Sequence, residues 1–188
     1  STSTHTGGAM QSHTYSSSGT KTITVAVNDA AKDIGEMYLY NHASRTLIRT
    51  ITNWGEGKWE SFFVAFFGAT NLTIPATDEP DLSLTTNMKW AFRDCTSLVG
   101  TTLNDWNTST VTNMEGTFMG ASAFNGTIGS WNTAAVTNMR EMFAYATSFN
   151  GNITGWNTAA VTFMPEMFRG ASAFNQDINT SGNSWNVS

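Results

Sequence analysis

Apolar residues in the C-terminal part of the chain recur in strict phase every 25 positions. Trp106, Trp131 and Trp156 open the series, and Val111, Val136 and Val161 follow. Then come Met114, Met139 and Met164, and after them Phe118, Phe143 and Phe168. Ala121, Ala146 and Ala171 precede Phe124, Phe149 and Phe174, and Ile128, Ile153 and Ile178 close the unit. Seven columns in register are not a chance arrangement. A 26-residue spacing carries the pattern back through Met88 and Phe62, Phe92 and Phe66, Cys95 and Ala69, and Leu98 and Leu72. About five units therefore run from residue 54 onward. The first two are divergent, as terminal repeats are.

Two local periods lie within each unit. Val136, Met139, Phe143 and Ala146 fall at i, i+3, i+7 and i+10, which predicts one face of a short helix. Thr112 followed by Glu115 fits a capping box at its start. Pro165 suits a first helical turn, whose N–H groups lack intrahelical partners, so the third copy predicts a helix from near Thr162. Phe149 and Ile153 then point inward from a short extended segment, closed by turns rich in Asn and Gly. A unit of this size cannot bury its apolar face alone, but stacked copies can. The expected fold is an α/β repeat, a leucine-rich-repeat-like right-handed solenoid of short helix plus short parallel strand. It spans residues 54–188. Residues 1–19 read as a polar tail or linker and residues 20–53 as a small N-terminal β cap. Within the cap, Ile23, Val25 and Val27 share one strand face, and "EMYLYN" and "RTLIRTI" read as two more strands.

Composition narrows the function. Only 12% of residues are charged, about half the usual share. The net charge is −5, and no Lys/Arg cluster appears along the chain. A nucleic-acid partner or an anionic membrane surface is therefore not expected. No apolar run approaches the ~18 residues of a membrane span, so no membrane insertion is expected. Abundant Gly, Ser, Thr and Asn suit a repetitive extracellular protein. The single cysteine, Cys95, permits no internal disulfide, and its place in the small-residue column reads as a buried hydrophobe.

Candidate chemistry is sparse. His5, His13 and His42 lack ligand spacing for a metal. Asp78, Glu79 and Asp81 form an acidic cluster without the alternating oxygen pattern of a calcium loop, and read as a solvated turn. Glu115, Glu141 and Glu166 read as charges in the first turn of the expected helices. Nucleophile elbow, P-loop and dinucleotide motifs are absent from the sequence. No catalytic residue, cofactor or metal ligand is expected. The Trp column reads as core rather than as a sugar-stacking platform, because it keeps phase with Met and Phe. Thr108, Thr133 and Thr158 suggest an ice-binding ladder, but only one Thr per unit keeps phase there. Thr112, Thr137 and Thr162 read as helix caps. Asn71, Asn107, Asn125, Asn152, Asn179 and Asn186 begin N-x-[ST] sequons. These are glycosylation candidates in a secreted eukaryotic protein and plain Asn/Thr-rich turns in a bacterial one.

"WNTSTVTNMEGTFMGASAFN" and "WNTAAVTNMREMFAYATSFN" resemble the bacterial surface-protein 26-residue repeat family, related to BspA-like leucine-rich-repeat proteins. Units of that family read W-[DN]-x-S-x-V-T-N-M-x-x-M-F-x-x-A-x-x-F-N-x-x-I. "ITNWGEGKWESFFVAFFGATNLTIPATDEPDLS" resembles the family's lead-in, and "HTYSSSGTKTITV" the strand before it, so the resemblance covers about residues 13–188. Phe163 departs from it, standing where Asn113 and Asn138 stand in the other copies. The resemblance implies a secreted or surface-anchored protein with a role in adhesion.

The expected function is a non-catalytic extracellular or cell-surface module for adhesion or molecular recognition. Its partner would be a host, matrix or neighbouring-cell protein or glycan. The alternative is a structural subunit of a surface layer or filament, self-associating through the ends of the solenoid. Ice binding is a third reading. Positions that vary between copies are free of the core. On the expected strand these are Thr127, Asn152 and Asp177, and then Gly129, Thr154 and Asn179. By alternation they face away from Phe and Ile, and they form the expected partner surface.

Overall fold

The computed structural model describes residues 33–36, 43–100 and 103–178. The expected tail, Ile23, Val25, Val27, the three histidines and Asn179 lie outside the described residues. The described part contains two short strands, β1 (Asp33–Glu36) and β2 (Lys58–Ser61), and a 3-10 helix, Ala43–Leu47. The strands pair in parallel, with Asp33 opposite Lys58 and Glu36 opposite Ser61. The stretch 45–51, expected as a strand, starts in that 3-10 helix and then makes a single bridge, Thr50 to Thr73.

No α-helix occurs among the described residues, and this overturns the expected α/β solenoid of helix plus strand. Where the helix was expected, successive units lie against one another as coils of tight turns. Their backbone hydrogen bonds divide into two sets. The N–H groups of Met114, Gly116, Phe118 and Gly120 leave their own coil and donate to the carbonyls of Asn138, Arg140, Met142 and Ala144 at 2.8–2.9 Å. Those of Thr117, Met119, Ala121 and Phe124 close i→i−3 turns on Met114, Gly116, Phe118 and Ala121. Trp90 to Glu115, Phe92 to Thr117, Glu141 to Pro165 and Phe143 to Met167 repeat the first set in the neighbouring coils.

A helix would send every N–H to its own i−4 carbonyl. Here the backbone enters the left-handed region two and six residues after each of Phe62, Met88, Met114, Met139 and Met164. Val64 and Gly68, Trp90 and Asp94, Gly116 and Gly120, Glu141 and Tyr145, and Glu166 and Gly170 hold these places. A left-handed residue breaks a right-handed helix. The inward spacing survives because such a ribbon, like a helix, returns a side chain to the same face after three or four residues. Val111, Met114, Phe118, Ala121, Phe124 and Ile128 are all fully buried.

Two further local expectations fall with the helix. Thr112 caps nothing: its hydroxyl donates to the carbonyl of Thr86, one coil earlier, at 3.2 Å. The N–H of Glu115 goes to Asn113 Oδ1 at 3.0 Å. The expected strand around 149–153 alternates in burial but forms no strand. Parallel bridges run elsewhere, pairing Asn87 with Asn113, Asn113 with Asn138 and Asn138 with Phe163.

The bridge column explains why Phe163 replaces Asn. Asn87, Asn113 and Asn138 each accept, through Oδ1, the N–H two residues on, from Lys89, Glu115 and Arg140. Two residues after Phe163 stands Pro165, which has no N–H. The side-chain acceptor is redundant there, so the Asn-to-Phe and x-to-Pro changes form one exchange.

Aromatic rings fill the stack. Phe66, Phe92, Phe118, Phe143 and Phe168 stand with successive centroids 5.4–5.8 Å apart and nearly parallel planes. Phe124, Phe149 and Phe174 form a second column at 5.7–5.8 Å. The columns touch at 3.9 Å between Phe118 and Phe124, and again between Phe143 and Phe149. Trp131 and Trp156 are buried and donate their indole N–H to Leu103 and Ile128 carbonyls at 2.7 and 3.0 Å. Glycine is required where the coils meet most closely. A Cβ on Gly100, at φ +78°, would stand 2.2 Å from the Phe124 ring.

Phe143→Ala is expected to lower stability by about 3–5 kcal/mol in urea unfolding, since its ring contacts both columns. Asn138→Phe is expected to cost about 1 kcal/mol by leaving the Arg140 N–H without its acceptor. Adding Arg140→Pro should restore most of that loss. If the double variant is no more stable than Asn138→Phe alone, the exchange has been misread.

Candidate functional site

Of the residues expected to face a partner, three are exposed, although the strand that was to carry them does not form. Thr127, Asn152 and Asp177 are exposed, one per coil, while Phe124, Ile128, Phe149 and Ile153 beside them are buried. Gly129 and Thr154 are only half-exposed. Asn152 is held in a local turn, its Oδ1 accepting both the N–H and the hydroxyl of Thr154 at 3.0 and 2.8 Å. A Cβ on Gly129 would stand 2.7 Å from the Asn152 carbonyl, so the coils are in close backbone contact here.

The first Thr column is not a surface. Thr108, Thr133 and Thr158 are buried, and the hydroxyls of Thr108 and Thr133 donate to the carbonyls of Asn132 and Asn157 at 3.0 and 2.9 Å. They join coils internally and present no array to ice. Thr112, Thr137 and Thr162 are exposed, but Thr137 and Thr162 spend their hydroxyls on the preceding coil as Thr112 does. The acidic cluster is divided in role. Asp78 Oδ2 accepts the N–H groups of Trp54 and Gly55 at 2.7 and 3.0 Å. Asp81 Oδ1 accepts the N–H of Ser83, and hydrogen bonds from Ser83 hold the Asp81 carboxyl below its ordinary pKa. The carboxylates expected in first helical turns instead lie on the turn ribbon. Glu115 pairs with Lys89 at 3.0 Å, Glu141 with Arg140 at 3.3 Å and Glu166 with Arg169 at 2.7 Å.

A cleft of about 280 Å³ opens beside Asp105, Trp106, Asn107 and Thr108 of one coil and Ser130 and Asn132 of the next. Its two amide oxygens are already taken by the N–H groups of Ser109 and Ala134.

The stack also assembles a group that no local stretch of sequence announces. The guanidinium carbons of Arg45 and Arg93 lie 5.6 and 5.3 Å from the centroid of the Phe67 ring. Arg93 is also 5.1 Å from the Trp90 ring, and Lys89 Nζ is 4.5 Å from it. Phe67 and Trp90 are themselves 6.3 Å apart. Three cations and two half-exposed rings thus interleave across neighbouring coils. Gly116 lets Trp90 lie along the stack, for a Cβ there would stand 2.6 Å from Trp90 Cδ1. Gly68 does the same for Arg45 at 2.8 Å. Writing the sequence in 26-residue rows aligns Phe67 with Arg93 and Val64 with Trp90. Arg45 falls out of that phase, so no spacing rule brings it to the group.

Among the described residues no cluster of His, Cys, Asp and Glu is arranged to hold a metal ion, and no helix is long and apolar enough to cross a membrane. The fold and surface define a tandem-repeat stack with an apolar interior and a polar outside. The family described as "Mycoplasma protein of unknown function, DUF285" matches residues 86–188, more than half of the chain, and the chain belongs to that family. No curated protein and no solved structure matches the chain.

Cys95 is fully buried in the small-residue column, its thiol 3.1 Å from the Phe66 carbonyl. Burial, with the Asp94 charge adding to it, pushes this thiol far above its ordinary value of 9.0. The folded thiol therefore stays protonated, and its contribution to stability is complete below that value. It declines as pH rises further, because the unfolded chain alone then releases the proton. Iodoacetamide is expected to label Cys95 only in denaturant, and Cys95→Ala should flatten the alkaline fall in stability. Rapid labelling of the native protein would contradict this placement.

Proposed function

We propose that the chain is a non-catalytic repeat module for molecular recognition or adhesion, displayed outside the cell. In this reading it is one of the bacterial surface-protein 26-residue repeats, akin to BspA-like proteins. Its partner is a host, matrix or neighbouring-cell protein or glycan.

One observation carries the proposal: the apolar columns that stay constant between copies are buried in the interior coils, and one set of positions whose side chain varies between copies lies outside. The Trp, Val, Phe and Ile columns are consumed by packing and by indole hydrogen bonds in the interior coils. Thr127, Asn152 and Asp177 occupy equivalent exposed places with three different side chains. Such a surface can change without disturbing the core, as binding faces of repeat proteins do. Family membership supports a repeat protein and leaves the task open.

The alternative, a subunit of a filament or layer, has one observation in its favour. In the last described coil the N–H groups of Met164, Glu166 and Gly170 have no backbone acceptor among the described residues, whereas their equivalents one coil earlier, on Met139, Glu141 and Tyr145, donate to that coil. Met164, Phe168 and Phe174 are also only partly buried there.

Protein and glycan arrays probed with the purified chain test the leading reading. A captured partner should bind at least about tenfold more weakly to Asn152→Lys combined with Thr154→Lys, since two bulky cations replace small polar groups on the varying face. Equal affinity would remove that face from the proposal. Regular filaments in electron microscopy, with no partner captured, would favour the alternative.

A further inference from the structure

The interleaved cations and rings around Phe67 are unexplained by the stack itself. Like charges are brought together there at some electrostatic cost. Arg45 and Arg93 both pack on one ring. Asp94 lies 3.6 Å from Arg93 Nε, and Glu115 takes Lys89. Arg45 has no carboxylate within ion-pair distance among the described residues. Among the described residues three cations therefore face two carboxylates. The local balance is positive on a chain whose net charge is −5. Elsewhere on the ribbon, Arg140 and Arg169 have each an adjacent glutamate, and no such excess arises.

The arrangement suits recognition better than stability. A guanidinium stacked on a ring keeps its N–H donors in plane at its rim, pre-oriented for an oxyanion. The Nε of Arg93 is buried beside the Asp94 carboxylate without a hydrogen bond of its own, so the terminal N–H groups are the ones left for a ligand. Asn71 lies close by, its Nδ2 donating to the carbonyl of Thr46, the residue next to Arg45. Two half-exposed rings carrying guanidiniums on their faces match a sugar that bears an acidic group. An acidic sugar would set its carboxylate or sulfate against the guanidiniums and its ring against the aromatic edges. A long nucleic acid fits less well, because the negative charge of the remaining surface opposes an extended polyanion.

We propose that Arg45, Arg93, Phe67 and Trp90 form a binding surface for an acidic glycan, with the two guanidiniums as its oxyanion fork. The proposal rests on the recognition reading above and adds a ligand class and a second face, separate from Asn152 and Thr154.

Calorimetric titration of the full chain with a short oligogalacturonate, and with its neutral methyl ester, tests it. The acid should bind and the ester should bind at least about tenfold more weakly, the loss of a charged hydrogen-bonded pair. Arg45→Gln with Arg93→Gln keeps planar groups over the ring without charge, and should abolish the preference for the acid while melting near the parent temperature. Arg45→Lys with Arg93→Lys keeps charge but not the fork, and should bind several-fold more weakly. Arg140→Gln should change nothing, and neither should Asn152→Lys with Thr154→Lys. No binding of the acid, equal binding of acid and ester, unchanged affinity in the lysine pair, or tighter binding of a single-stranded DNA oligomer would each overturn the proposal. Those outcomes leave a partner captured through the Asn152 face untouched, so the two readings fail separately.

Discussion

Half of the N–H groups in each interior turn ribbon leave their own coil, and the rest of the structure depends on that division. Met114, Gly116, Phe118 and Gly120 have no acceptors within their own unit. A coil is therefore incomplete until its neighbour is in place, and the stack must form cooperatively. The same bonds fix the rise between coils, and with it the 5.4–5.8 Å spacing of the phenylalanine column. They also hold Trp90, Glu141 and Tyr145 in the left-handed region, a cost of order 1–3 kcal/mol each that only an over-determined surrounding sustains.

The unusual composition follows from this backbone. A chain of turns leaves many N–H and C=O groups outside regular ladders, and buried ones need partners. Short polar side chains supply them locally. Asn113, Asn138, Asn107 and Asn132 each accept the N–H two residues on. Thr108 and Thr133 reach across to the next coil from inside the core. Asn and Thr are thus structural here, and the scarcity of charge reflects how much of the chain is engaged in satisfying itself. Phe163 and Pro165 show the rule by its exception: with no N–H to satisfy, the amide is dispensable.

Stacking also gathers what the sequence scatters. Arg45, Phe67, Arg93 and Trp90 are far apart in sequence and meet only because neighbouring coils lie against one another. The glycines at 68 and 116 matter as much as the charges. They let Arg45 and Trp90 lie along the stack axis instead of standing off it.

The sequence by itself determined the repeat, its phase and its interior. The column from Val111 to Ile128 is inward as its spacing required, because burial depends only on which residues return to one face. It also placed Thr127, Asn152 and Asp177 outside. The local conformation was not legible, since i, i+3, i+7 spacing serves a helix and a turn ribbon alike. A warning stood in Gly116, Gly120 and Gly170, which are poor interior helix residues and good left-handed ones. The buried Thr column and the Arg45 cluster were beyond any reading of spacing. Only the tertiary structure settled them, because the choice between bonding within a coil and bonding to its neighbour exists only once the neighbour is there.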